Sequence, residues 1–237
     1  MKIKLFTIPN FITLANLICG VIAIFEVIAN KNYSLAFGLI ILAAVFDFFD
    51  GFVARLLKQQ SPIGVELDSL ADMISFGLAP AMVLFSLSGE LDSLTGYEFI
   101  DTSCHYLTLI VVAFSALRLA KFNIDDTQTT EFSGLPTPAN ALFCASLGLI
   151  YQQQGLALPT EVLALIAVVM SIFMIIPLRM FALKFKGFGW RGNEVRYLFI
   201  ALAIAICVKC GLFAVPAVIA SYILISLLLC VKARLRA

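Results

Sequence analysis

Two short stretches of this 237-residue chain place carboxylates in apolar surroundings. The first reads Ala44-Val45-Phe46-Asp47-Phe48-Phe49-Asp50-Gly51-Phe52-Val53-Ala54-Arg55. Asp47 and Asp50 are three residues apart, so a helix sets them on one face, with Ala54 one turn beyond Asp50 and Gly51 alongside. Small residues at those places leave room for a ligand to approach the backbone. In the second stretch, Gly64-Val65-Glu66-Leu67-Asp68-Ser69-Leu70-Ala71-Asp72, the residues Gly64, Asp68 and Asp72 recur every four positions and form another stripe. A turn at Ser61-Pro62 reverses the chain between them, so the two acidic pairs converge at one end of adjacent helices. Glu66 lies off the stripe and reads as a solvated loop charge.

Four carboxylates in one confined place repel one another, and one or two divalent cations relieve the conflict. The chain has a single histidine, His105, and its six cysteines sit mostly inside apolar runs. Ligation by oxygen alone selects a hard ion: Mg²⁺ foremost, with Mn²⁺ or Ca²⁺ also suitable. The Cys207/Cys210 pair lacks a second pair or a nearby histidine, and reads as small core or lipid-facing residues. Metals held by carboxylates at a membrane surface suit phosphoryl transfer from a lipid diphosphate, neutralising its oxygens and the leaving phosphate. A carboxylate at the edge of the cluster is placed to take the proton of an incoming hydroxyl. The competing reading pairs these aspartates with Arg55, Lys58 or helix termini as interfacial anchors. Four at two helical spacings, with small residues between them, favour the metal.

The elements that must carry these residues are membrane helices. The chain is 62% hydrophobic and 13% charged, with a mean hydropathy of +1.02. Soluble domains are nearer half apolar, and this excess does not fit inside one soluble core. With 16 Lys+Arg against 15 Asp+Glu, net charge indicates neither nucleic acid nor an acidic partner. A span needs about 20 largely apolar residues. Eight candidates follow: Phe11 to Ala29, Tyr33 to Leu57, Ser69 to Ser88, Cys104 to Phe122, Thr137 to Tyr151, Glu161 to Leu183, Val195 to Cys210 and Phe213 to Val231. With the N-terminus in the cytoplasm, Lys31 and Lys209 alone among the basic residues fall outside, as the positive-inside rule requires. Glu90, Asp92, Glu98 and Asp101 then lie on the outer side. The expected fold is therefore all-α and polytopic, a single domain over residues 1–237 with both termini cytoplasmic. Met1 to Ile8 is too short for a separate signal peptide.

The pattern Asp47-x2-Asp50-Gly51-x2-Ala54-Arg55-x8-Gly64-x3-Asp68-x3-Asp72 resembles the hallmark of the CDP-alcohol phosphatidyltransferases, with every fixed position filled. Pro9-Asn10-Phe11-Ile12-Thr13 is similar to that family's first-helix start. Within the family, Ser115-Ala116-Leu117-Arg118-Leu119-Ala120-Lys121-Phe122-Asn123 and Phe132-Ser133-Gly134-Leu135-Pro136-Thr137-Pro138-Ala139 resemble the bacterial and archaeal phosphatidylserine synthases. Lys121 stands where many relatives have Arg, which keeps the charge and loses a planar fork.

The resemblance implies a homodimer with a six-span core (about 8–183) around a polar cavity open to the cytoplasm. The helical pair at about 195–232 would be an addition. It implies that Asp47, Asp50, Asp68 and Asp72 hold two ions, Mg²⁺ or Mn²⁺, and that Asp72 serves as the base. Gly51, Ala54, Arg55, Gly64, Asn10 and Thr13 are expected around the CDP-lipid. The implied reaction joins CDP-diacylglycerol and L-serine to give phosphatidylserine and CMP in the cytoplasmic (inner) membrane, among membrane lipids.

Charge chemistry adds to this. Free serine is a zwitterion whose carboxylate needs a cation in a partly dry pocket, and Arg118 is the first candidate. Lys121 follows one turn on. The alternative is that both snorkel to lipid headgroups. Asn123, Gly134, Pro136 and Thr137 bound a connection that either walls the serine pocket or simply starts the next helix. The basic loop after the sixth span, with Trp190 at the interface, holds anionic lipid, or Arg191 reaches a lipid phosphate. Two other functions compete. The same chemistry with glycerol 3-phosphate or inositol phosphate would want a stronger basic cluster. A cation-coupled secondary transporter would place its carboxylates near mid-membrane in repeated halves, and no repeat is present.

Overall fold

The structure is a computed structural model that describes residues 5–124, 132–181, 189 and 193–234. It is helical apart from one two-residue ladder. In chain order the helices are α1 (Ile8–Asn30), α2 (Tyr33–Leu56), α3 (Pro62–Asp72), a π-helical turn (Met73–Leu78), α4 (Ala79–Ser88), α5 (Glu98–Leu107) and α6 (Ile110–Ile124). After strand β1 (Phe132–Ser133) come α7 (Thr137–Gln154), α8 (Thr160–Ile175), strand β2 (Arg179–Met180), α9 (Glu194–Cys210) and α10 (Ala214–Arg234).

Among the described residues, five segments are long and apolar enough to cross a membrane: Ile8–Asn30, Tyr33–Leu56, Pro62–Ser88, Glu98–Ile124 and Glu194–Lys232. Thr160–Ile175 is apolar but shorter. Helix α7 carries Asn140 and ends on Gln152 to Gln154, and is not among the five.

Local chemistry sets the helix ends that matter for the acidic stripes. Thr7 caps α1 by accepting from the Asn10 N–H, and Pro9 sits in the first turn. Ser61 caps α3 by accepting from the Gly64 N–H at 3.2 Å, with Pro62 at the first position. The expected turn at Ser61-Pro62 is therefore present. The helix behind it starts at Pro62, about two turns before the expected Ser69. The carboxylates of that stretch lie in α3, and the π turn follows directly after Asp72.

The sixth expected span is too long at its C-terminal end. Helix α8 stops at Ile175 rather than Leu183, because Pro177 forces Ile176 into an extended conformation with ψ of 136°. The fourth expected span begins late, since α5 starts at Glu98, and it is interrupted at Thr108 and Leu109 before α6.

Helix α1 packs along α2 and against α3, the π turn and α4; α7 lies on α2 and α4; α8 lies on α5 and α6. The core has many small residues, among them Ala36, Ala43, Ala71, Ala79, Ala141, Ala145 and Ala167, each fully or almost fully buried. Small residues let helix backbones approach, the main source of packing in an apolar solvent. Gly20 shows how close: a Cβ there would lie 2.7 Å from the Ser75 Cα in the π turn. Large apolar residues such as Ile18, Phe25, Phe48 and Leu165 face outward, as suits lipid. Helix α10 packs on α7 and β2, whereas α9 has Phe199 as its one buried residue.

Candidate active site

The end of α2 and the start of α3 bring Asp47, Asp50 and Asp68 together. One carboxylate oxygen from each lies within 4.8 Å of the other two. None of the three has an ion-pair partner among the described residues. Asp50 is buried and its Oδ2 accepts from Thr13 Oγ1 at 2.6 Å, which ties α1 to the cluster. Asp68 Oδ1 is buried and lacks a hydrogen-bond partner among the described residues. Clustered carboxylates with an orphaned buried oxygen fit a divalent cation: the donors are hard oxygens and the missing partner is positive.

Asp72 stands one turn deeper than Asp68, outside this group of three. It is buried, and its Oδ1 accepts from Asn16 Nδ2 at 3.1 Å. It remains within electrostatic reach of Asp47, Asp68 and Asp50. Asn16 is a residue that sequence reasoning missed. It lies three positions after Thr13 on the same face of α1, and an asparagine inside an apolar run was the available signal.

Beside the three carboxylates opens a cavity of about 220 Å³. Asn10, Thr13, Gly51, Ala54, Arg55 and Gly64, the six residues expected around the CDP-lipid, all line it, together with Asp50 and Asp68. Gln59, Gln60 and Ser61 from the α2–α3 turn also line it and were not anticipated. Arg55 is exposed and folds back along its helix, its Nη1 3.4 Å from where a Cβ on Gly51 would stand. A Cβ on Gly64 would approach Ser61 Oγ at 3.3 Å and Asn10 Oδ1 at 3.5 Å. Both glycines therefore keep the wall of the cavity thin.

A second polar group lies on α6 and α7. Arg118 is the one basic side chain buried among the described residues, 9% exposed, and its Nη1 donates to Thr137 Oγ1 at 2.9 Å. Its Nε is buried without a partner among the described residues, and Asp72 is near enough to act on its charge. Gly134 and Pro136 shape the approach to Thr137. Gly134 has φ of +84°, and a Cβ there would lie 2.4 Å from the Met174 carbonyl oxygen, so only glycine fits. The Gly134 N–H donates to the Leu178 carbonyl and the Leu135 N–H to that of Phe173, seating the segment on the end of α8.

Two of the expected acceptor-site residues stand elsewhere. Lys121 and Asn123 are exposed near the end of α6, and the Asn123 amide donates to Ser69 Oγ at 2.8 Å. Asn123 is thereby occupied in joining α6 to α3. Arg191 lies outside the described residues. The six cysteines are free, and Cys207 and Cys210 are exposed on α9.

Comparison with known proteins follows the same outline. The family model described as CDP-alcohol phosphatidyltransferase matches residues 6–177, from the α1 cap to just beyond α8. The CDP-diacylglycerol–serine O-phosphatidyltransferase of Bacillus subtilis (strain 168) is 37% identical over 154 residues, covering 65% of this chain and 81% of that protein. Proteins of the same name from Methanocaldococcus jannaschii and Helicobacter pylori (strain ATCC 700392 / 26695) are 37% and 34% identical. Those two matches cover 59% and 58% of this chain, so it spans little more than half of each relative, 59% and 55% of their lengths. With the family model covering well over half of the sequence, and its acidic stripes meeting beside a cavity, the chain belongs to the CDP-alcohol phosphatidyltransferase family.

Proposed function

We propose that this protein is a CDP-diacylglycerol–serine O-phosphatidyltransferase, moving the phosphatidyl group of CDP-diacylglycerol onto the hydroxyl of L-serine with release of CMP. The observation that carries the reading is the meeting of Asp47, Asp50 and Asp68, without an ion-pair partner among the described residues, beside a cavity thinned by Gly51 and Gly64. The relatives' shared name supports serine as the acceptor. So does the guanidinium of Arg118, the one buried among the described residues, which matches one carboxylate better than the phosphate of glycerol 3-phosphate or inositol phosphate.

In this reading Asp47, Asp50, Asp68 and Asp72 hold two divalent ions, Mg²⁺ or Mn²⁺. Such ions supply charge neutralisation at the diphosphate and at the leaving CMP. Thr13 holds Asp50 in place, and the cavity between α1, α2 and α3 receives the cytidine and ribose against Gly51, Ala54 and Gly64. Arg55 sits at its mouth beside the diphosphate. Asp72, held by Asn16, takes the proton from the serine hydroxyl as its oxygen attacks the phosphorus and the bond to CMP breaks. Arg118, steadied by Thr137, binds the serine carboxylate.

The proposal includes eight spans forming one domain, with both termini and the site on the cytoplasmic side of the inner membrane. The distribution of basic residues supports that orientation. It also includes a homodimer, in keeping with the family resemblance. CMP release by purified protein given CDP-diacylglycerol and a panel of alcohols tests the function. Release with L-serine that stops on adding EDTA is the expected result. Release with a different alcohol alone, or undiminished turnover after chelation, would reject it.

A further inference from the structure

Near Asp72 two buried polar atoms have no partner among the described residues: Oδ1 of Asn16 and Nε of Arg118. Asn16 is 0% exposed. Leaving a buried acceptor unpaired costs about 1–3 kcal/mol, so such an atom in a folded protein points to a group it receives from outside the chain. Its Nδ2 donates to Asp72 Oδ1 at 3.1 Å, which leaves Oδ1 as the end of the amide turned away from Asp72.

The backbone behind it is held as well. Ser75 Oγ donates to the Asn16 carbonyl at 3.0 Å, and Gly20 one turn further lets the π turn press against α1. Oδ1 is therefore offered as an acceptor in a set direction.

The two unpaired atoms have opposite character, an acceptor on α1 and a donor on α6. Asp72 is bonded to the first residue and acts on the charge of the second. An α-amino acid carries the complementary pair, an ammonium that donates and a carboxylate that accepts. We propose that Asn16 is a specificity residue whose Oδ1 accepts a hydrogen bond from the ammonium group of the acceptor substrate. This rests on the serine reading given above and adds the group that reads serine's nitrogen. A neutral amide suits the place: a carboxylate would put a further negative charge against Asp72, and an apolar side chain would leave the ammonium unpaired.

The test uses the full chain in detergent with Mg²⁺ and CDP-diacylglycerol, following CMP release with L-serine or with 3-hydroxypropionate, which is serine without its ammonium. Binding of both acceptors in the presence of CDP is measured in parallel. Wild-type release with serine tests the function itself, and its absence would reject that reading before any variant is made. Given release, Asn16→Ala is expected to weaken serine binding about tenfold more than 3-hydroxypropionate binding, the size of one hydrogen bond to a charged group, over and above any loss common to both acceptors from releasing Asp72. An equal loss for both acceptors would show that Asn16 serves only to hold Asp72, and would overturn the proposal. Should Asn16→Ala fail to fold, Asn16→Ser keeps a neutral polar group on a side chain too short to reach the ammonium. It is expected to lose the preference for serine over 3-hydroxypropionate, and retention of that preference would overturn the proposal equally.

Discussion

The two ends of the α1–α2 pair use charge in opposite ways. At one end Lys31 Nζ meets Glu90 Oε1 at 3.1 Å and donates to Ser86 Oγ at 2.7 Å, while the Tyr33 hydroxyl donates to Glu90 at 2.7 Å. Charges and donors there satisfy one another. About 20 Å along α2, at 1.5 Å per residue, Asp47 and Asp50 meet Asp68 with no ion-pair partner among the described residues. The first arrangement is complete within the chain and fastens helices together. The second is incomplete until something positive arrives. The number of charged groups is thus a poor guide to function; the balance among them separates a fastening from a site.

Substitutions can break this contrast, and the largest effects belong at the unbalanced end. Asp47→Ala, Asp50→Ala or Asp68→Ala is expected to lower CMP release about a thousandfold or more, since a metal clamp contributes several kcal/mol to such a transition state. Membrane insertion, followed by fractionation, should be unchanged. Asp72→Asn should reduce kcat by about 10²- to 10⁴-fold, the range for a general base, with a much smaller change in the KM for CDP-diacylglycerol. Intact turnover in that variant would remove Asp72 as the base.

Arg118→Ala should raise the serine KM by about ten- to a hundredfold and leave the donor KM nearly alone, as loss of a charge-assisted hydrogen bond predicts. Equal effects on both substrates would reject it as the carboxylate anchor. Glu90→Gln, at the balanced end, is expected to change stability by less than about 1 kcal/mol, because Lys31 and Glu90 keep 50% and 26% of their side-chain surface exposed. Thermal unfolding and CMP release measure this. A loss of activity like that of the Asp50 variant would erase the distinction between the two ends.

Much of the site was legible because helical spacing is a local property. Asp47, Asp50, Gly64 and Asp68 sit where periods of three and four residues place them, and the Ser61-Pro62 turn follows from capping chemistry. Helix α8 was over-extended to Leu183 although Ile176-Pro177 carried the stop; hydrophobicity continued past it, and backbone sterics decided the end. Partnerships across the chain were harder to see. Arg118 meets Thr137, and Asn16 meets Asp72 across 56 positions, through packing that no single stretch encodes. Asn123 illustrates the converse: its neighbours in sequence suggested a substrate contact, and its amide instead joins two helices.

The π turn at Met73–Leu78 carries a consequence for how this helix tolerates change in length. A π turn holds one residue more than the regular helix around it, so a single deletion there would restore α geometry instead of breaking the rod. The halves on either side would then keep their mutual orientation, whereas winding all of these residues as regular α-helix would rotate the half bearing Asp68 and Asp72 by about 100° against the half seated in the bundle. Met73–Leu78 thus works as a phase adapter: its surplus residue lets one rod meet two unrelated angular demands, acids toward the cavity and Phe76, Ala79 and Leu84 toward the interior.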